Sequence, residues 1–184
     1  MKKKAAVLLA DGFEEIEAIT PIDILRRSGA EVTVVGVGGL MIKGSRDISV
    51  KADKEIGSYN ELPDAVVVPG GGRGAENLSK TEKVSSLLRE AYKNGKVIAA
   101  ICAGPATVLL PLGILDGKNA TCYPGDEKML GQRAHFKDEK VVIDGNVITS
   151  RGPATATAFA LAIAEMLCGK DIKETVSKNL LYEK

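Results

Sequence analysis

The chain has 184 residues, with 25 Lys+Arg against 24 Asp+Glu for a formal charge of +1, so no net field draws it to nucleic-acid phosphate or to an anionic membrane. Aromatic residues are 4% of the chain and Trp is absent, which leaves little for base-stacking platforms and predicts an aliphatic core, of a size that suits a single domain over residues 1–184. The cysteines Cys102, Cys122 and Cys168 are odd in number and far apart, so they make neither a disulfide framework nor a CxxC metal clip, and a reducing cytoplasm is the expected location.

Lys2-Lys3-Lys4 with the apolar run after it imitates an export signal, but Asp11 cuts that run short and no cleavage pattern follows, so neither export nor a membrane span is expected. The run Ala5–Leu9 instead reads as a first strand. Glu14 to Arg27 carries Ile16, Ile19, Ile22 and Leu25 near helical spacing, with Thr20-Pro21-Ile22-Asp23 resembling a fresh start, which predicts two short helices or one kinked helix. Val32–Val35 is a second strand. Met41 to Ala52 alternates around Gly44-Ser45 and predicts small antiparallel pieces. Ala65–Val68 is a third strand. Ser79-Lys80-Thr81-Glu82 resembles a capping box ahead of a helix with Val84, Leu87, Leu88 and Ala91, stopped at Asn94-Gly95. Val97–Ile101 is a fourth strand. Val141-Val142-Ile143, a turn at Asp144-Gly145-Asn146, and Val147-Ile148-Thr149 predict a hairpin at a sheet edge. Pro153 to Cys168 is apolar almost all round and ends at Gly169, a buried helix with a glycine stop.

Short, continuously apolar strands alternating with helices predict an α/β fold, a three-layer domain with a mostly parallel sheet. In such folds ligands sit beyond the carboxyl ends of the strands. Three chemically distinct loops follow those ends: Asp11-Gly12-Phe13-Glu14-Glu15-Ile16-Glu17, Pro69-Gly70-Gly71-Gly72-Arg73-Gly74 and Cys102-Ala103-Gly104-Pro105. A cysteine wedged between an apolar strand and a helix opened by small residues has the layout of a nucleophile elbow. At a helix start its thiolate is favoured, so Cys102 is expected to be acidic. The glycine run can aim backbone N–H groups at a developing oxyanion, and it matches neither the P-loop nor the dinucleotide fingerprint. A carboxyl turned toward the thiol would have a raised pKa and could exchange a proton with it, but spacing does not choose among Glu14, Glu15 and Glu17.

The motifs around Asp11–Glu17, Pro69-Gly70-Gly71, Ala99–Pro105 and Thr149-Ser150-Arg151-Gly152-Pro153 together resemble the ThiJ/PfpI superfamily, nearest its parkinsonism-associated protein deglycase branch. The resemblance runs almost end to end in matching order. It implies a flavodoxin-like domain, a homodimer, a reactive elbow cysteine at Cys102, a partner glutamate at Glu17, and oxyanion-type backbone donors at Gly70, Gly71 and Ala103. It also implies family arginines at Arg46 and Arg151, near the cysteine and the dimer contact, as anion or interface residues. The activities it implies are a cofactor-independent glyoxalase turning methylglyoxal into lactate and a deglycase of early glycation adducts. The alternative is an oxidation-responsive sensor or chaperone. The substrate would be a small dicarbonyl or glycated molecule, with no metal and no organic cofactor.

Two positions depart from the family pattern. The histidine that the branch places in the motif reading here Thr121-Cys122-Tyr123-Pro124 is Tyr123, a phenol that can orient substrate or support an oxyanion but accepts a proton poorly at pH 7. The histidine that a protease branch places directly after the nucleophile is Ala103, which argues against a Cys-His protease. Cys122 and Tyr123 should point to opposite faces of a strand. Cys122 and Cys168 are expected to be packing residues, and His135 to lie in a solvated loop.

Overall fold

The computed structural model describes residues 2–182. In chain order the elements are β1 (Lys4–Ala10), α1 (Glu15–Arg27), β2 (Glu31–Val37), β3 (Met41–Lys43), β4 (Ser49–Lys51), β5 (Lys54–Glu55), β6 (Ala65–Val68), α2 (Gly72–Ser79), α3 (Glu82–Lys93), β7 (Val97–Ile101), β8 (Asn119–Ala120), α4 (Glu127–Leu130), β9 (His135–Phe136), β10 (Val141–Asp144), β11 (Val147–Ser150), α5 (Ala156–Cys168) and α6 (Lys170–Asn179). The four apolar runs read as strands are β1, β2, β6 and β7. They lie side by side in the seven-stranded sheet β10-β11-β7-β6-β1-β2-β5. Every neighbouring pair is parallel except the β10–β11 hairpin, whose outer strand forms one edge. The expected small antiparallel piece is the β3–β4 pair, with Ile42 opposite Val50.

Alternation of side chains across the sheet divides the core in two. Val7, Leu9, Val67, Ala99 and Ile101 face a cluster completed by Phe159, Ile163 and Leu25 from α5 and α1. Ala6, Leu8, Val66, Val68 and Ala100 face the other cluster, completed by Leu78 and Leu88 of α2 and α3. The sheet is therefore covered on both faces, which is why its strands read as unbroken apolar runs.

Several local expectations are decided or corrected. Of the two forms expected for Glu14 to Arg27, the structure has the single helix, Glu15–Arg27, with Pro21 inside it and no second start at Thr20. Pro21 has no N–H to give the carbonyl of Glu17, but burial of Ala18, Ile22, Ile24 and Leu25 carries the helix past that missing bond. Ser79 is not a cap: it ends α2, its hydroxyl donating to the Glu76 carbonyl at 2.9 Å, and α3 begins after Thr81. The helix α2 itself was unforeseen because Gly72 and Gly74 are poor helix formers, and it is held by burial of Ala75 and Leu78. His135 is exposed as expected, but it sits on β9, a short strand parallel to β8.

The order β7-β6-β1 at the sheet centre has a direct chemical consequence. Parallel neighbours present their carboxyl ends together, so the segments after Ala10, Val68 and Ile101 converge on one spot. Among the described residues no helix is long and apolar enough to cross a membrane.

Candidate active site

Cys102 follows β7 with φ +64°, a left-handed backbone that is uncommon for a side-chain-bearing residue and persists only where its surroundings hold it. Those surroundings are visible. The Cys102 N–H donates to the Ser150 carbonyl at 2.9 Å, and the Cys102 carbonyl accepts from the Tyr123 N–H at 2.9 Å. A wide helical turn at Pro105–Leu109 follows, with the Leu110 N–H reaching back to the Pro105 carbonyl at 3.0 Å. This is the elbow geometry that the sequence suggests, and it presents the thiol half-buried at the floor of a cavity.

The first loop supplies the carboxyl. Phe13 is buried in the core and anchors the entry to α1. The loop is tied to its neighbours by the Glu14 N–H donating to the Gly70 carbonyl at 3.0 Å and the Ser45 N–H donating to the Phe13 carbonyl at 2.8 Å. With the helix start so fixed, the three glutamates part company. Glu14 stays at the rim, its Oε2 accepting from the Ser45 hydroxyl at 3.0 Å. Glu15 turns to the β3–β4 connection, its Oε1 accepting from the Arg46 N–H at 2.7 Å. Burial disfavours the Glu15 charge, but hydrogen bonds from the backbone, the Arg46 and Ile48 N–H groups among them, outweigh it and its pKa is lowered. Glu17 alone points inward and is fully buried.

Glu17 Oε2 accepts from the Gly70 N–H at 2.9 Å, while Oε1 is buried without a hydrogen-bond partner. Gly70 is pressed between the two reactive groups. A methyl carbon there would stand 2.4 Å from Glu17 Oε2, 2.5 Å from Cys102 Cβ and 3.0 Å from Cys102 Sγ, so only a hydrogen fits. Gly71 has φ +86° and would drive a side chain to within 2.3 Å of the Gly12 carbonyl oxygen.

The electrostatics reverse one expectation. Burial pushes the Glu17 carboxyl up to about 7, against the opposing pull of the facing Cys102 thiol and the Gly70 N–H. Burial and then the Glu17 charge push the Cys102 thiol up to about 12, against the pull of the Gly71 and Ala103 N–H groups. The sequence argument from the helix start predicts an acidic thiol. It fails because burial of the thiol, and after it the Glu17 charge, outweigh the pull of the backbone N–H groups at that turn. Around neutrality it is the Glu17 carboxyl that takes up or gives up the proton, while the Cys102 thiol keeps its own. Protonation of Glu17 removes the repulsion, while the burial that is the larger cause of the shift stays.

The remaining candidates divide. Ala103 and Tyr123 line the cavity with Cys102. Tyr123 is half exposed and Cys122 fully buried, so they do face opposite ways, although they follow β8 rather than lie on a strand. Cys122, pushed up to about 12 by burial, packs with the α2–α3 side of the core. Gly70 is corrected as an oxyanion donor because its N–H is committed to Glu17. Arg46 lines the cavity, its guanidinium donating to the Ser45 carbonyl at 3.3 Å. Arg151 is paired with Asp138 and lies 5.6 Å from the Phe136 ring centroid. Spacing did not bring forward Glu76 or Asp126, which also line the cavity, of about 480 Å³. They sit one helix turn and one tight turn beyond motifs that did stand out. Among the described residues no three His, Cys, Asp or Glu side chains are grouped as metal ligands.

Comparison with known proteins agrees with this architecture. Residues 3–166 match the DJ-1/PfpI family. The Drosophila melanogaster protein dj-1beta is 45% identical over 184 residues, covering 98% of each chain, and its crystal structure superimposes with a TM-score of 0.95. A Schizosaccharomyces pombe relative named glutathione-independent glyoxalase DJ-1 is 35% identical over 191 residues, covering 96% of this chain and 97% of its own. Toxoplasma gondii DJ-1, solved in an oxidised form, superimposes with a TM-score of 0.95 at 38% identity, covering 99% of this chain and 100% of its own. Alike in sequence, in the order of its motifs and in fold over almost its whole length, the chain belongs to the DJ-1/PfpI family.

Proposed function

We propose that the protein is a cofactor-independent glyoxalase and deglycase that uses Cys102 as nucleophile. The observation that carries this reading is the buried Glu17 carboxyl, pushed up to about 7 and facing the Cys102 thiol, with one oxygen left without a hydrogen-bond partner. A carboxyl kept dry and close to half-protonated near neutral pH is suited to both taking and giving a proton. The thiol sulfur adds to the aldehyde carbon of methylglyoxal, forming the C–S bond as its S–H bond breaks, and that proton passes by way of the ionised Glu17 carboxylate to the carbonyl oxygen to give a hemithioacetal, leaving Glu17 ionised again. Glu17 then removes the proton from that carbon and returns one to the neighbouring carbon, through an enediolate whose oxygen the Gly71 and Ala103 N–H groups stabilise. The result is a lactoyl thioester. Water cleaves its C–S bond, releasing lactate and restoring the thiol. Early glycation adducts offer the same pattern, a hydroxyl-bearing carbon next to a ketone. Tyr123 orients the substrate at the mouth. The family relationship to a glyoxalase-named protein supports the reading.

The test is lactate production from methylglyoxal by the purified protein with a chelator present, compared with Cys102→Ser. Production that survives in Cys102→Ser would overturn the assignment. A second reading, sensing of oxidants, draws on the same two N–H groups: a sulfinate at Cys102, formed from two peroxides with release of two waters, would find donors waiting. That an oxidised form of a Toxoplasma gondii relative has been solved favours testing it by mass spectrometry after peroxide.

A further inference from the structure

Strand β11 ends in two hydroxyl residues where its first half is aliphatic. Val147 and Ile148 fill the two halves of the core, and Thr149 and Ser150, which follow them, are as fully buried, each 0% exposed. A hydroxyl taken out of water is costly unless it is hydrogen-bonded, and each of the two has its partner. Alternation along the strand sends them to opposite faces of the sheet. Thr149, on the side of Val147, accepts from the Thr121 N–H at 2.9 Å, beside Ala120 and Cys122 of the same half of the core. The Thr121 hydroxyl is itself buried without a partner, so this tie rests on the Thr149 oxygen. Ser150, on the side of Ile148, donates to the Lys140 carbonyl at 2.7 Å and meets the Thr155 hydroxyl at 2.7 Å. Thr155 Oγ1 in turn accepts from the Gly152 N–H at 3.1 Å.

Both ties end at Cys102. Thr149 and Ser150 lie in register with Ala100 and Ile101, alongside the approach to the elbow. The Ser150 carbonyl takes the Cys102 N–H, and the Tyr123 N–H, two residues beyond Thr121, reaches the Cys102 carbonyl, each at 2.9 Å. The backbone between those two bonds has φ +64°, a conformation that a residue with a side chain keeps only where its neighbours over-determine it. That backbone aims the sulfur at Glu17 and at the Gly71 and Ala103 N–H groups. We propose that Thr149 and Ser150 are positioning residues for Cys102, each fixing one of the two partners that hold its peptide groups, so that the sulfur stays against Glu17. Neither residue touches a substrate. The proposal rests on the reading of Cys102 as nucleophile for its use in turnover, but the placing of the sulfur is measurable without turnover.

The experiment measures alkylation of Cys102 by iodoacetamide against pH, read by mass spectrometry on the Cys102 peptide of the folded protein. The S–C bond forms as iodide leaves, and the thiol proton passes to the buffer. The Glu17 carboxylate raises the proton affinity of the sulfur it faces, so the rise of the rate with pH should bend near pH 7, where Glu17 titrates. Thr149→Val keeps the shape and loses the acceptor, and Ser150→Ala loses the donor. In each the bend should flatten, leaving a rate that climbs steadily like that of a free thiol, and kcat for lactate production should fall about tenfold or more with KM changed by less than about twofold. Thr149→Ser, which keeps the oxygen, should restore both. Should a core variant not fold, Thr155→Val, at a partly exposed position, removes the hydroxyl partner of Ser150 and carries the same expectations. A bend that persists in either variant, a protein without the bend before any substitution, or a Thr149→Ser no better than Thr149→Val would overturn the proposal. Loss of the bend in the variants, with no lactate made even by the unaltered protein, would instead count against the enzymatic reading and leave the positioning role standing.

Discussion

Replacing Glu17 by glutamine separates the cost of the buried carboxyl from its use. The side chain is fully buried and its pKa is raised from 4.5 to about 7. At about 1.4 kcal/mol for each tenfold change in proton affinity, the difference corresponds to about 3 kcal/mol. The sign is set by which state holds the proton. Below pH 4.5 the carboxyl is protonated in both the folded and unfolded chain and contributes nothing. Between pH 4.5 and 7 the unfolded chain gives up the proton while the folded chain keeps it, so stability falls as pH rises, and above 7 the loss is complete. Glutamine keeps the shape and the acceptor for the Gly70 N–H but has no such titration. Urea unfolding of the two proteins from pH 4 to 8 should therefore give similar stabilities near pH 4 and a widening advantage for Glu17→Gln, reaching about 2–3 kcal/mol at pH 8, or about 4–12 °C in Tm for a chain of this size. The same variant should lose lactate production, because an amide cannot carry the proton. Stability curves that run parallel from pH 4 to 8 would refute the buried-carboxyl argument, whatever the activity does.

Gly70→Ala should abolish turnover and cost about 1–3 kcal/mol in stability, since the added methyl meets Glu17 Oε2 and Cys102 Cβ at once; chemical denaturation and lactate assays check both. Tyr123→Phe should lower the rate by about tenfold or less, the worth of one orienting hydrogen bond, and Tyr123→His should raise it if an imidazole base is what the site lacks. Steady-state kinetics decide, and a Tyr123→Phe variant as inactive as Glu17→Gln would put the phenol in the proton path.

Strand runs such as Ala65–Val68 and Val97–Ile101 were readable in the sequence because their signal is local: an unbroken apolar stretch between turn residues has few other uses. The elbow was readable for the same reason, as Cys102 stands where an apolar strand gives way to Ala-Gly-Pro, and the family motifs around it mark the site in one dimension. What the sequence could not carry was which way each group faces. Glu14, Glu15 and Glu17 are equivalent in spacing, and they separate only once Phe13 is buried and the first loop is tied to Gly70 and Ser45. The Gly70 N–H goes to Glu17 rather than to a substrate because three neighbouring parallel strands end side by side. Arg151 meets Asp138 and Phe136, neighbours that only the fold brings to it. The thiol's proton affinity changed direction for a related reason. A helix start is a local feature that favours the thiolate, whereas desolvation and a carboxylate at contact depend on everything packed around Cys102, and at that short range they prevail.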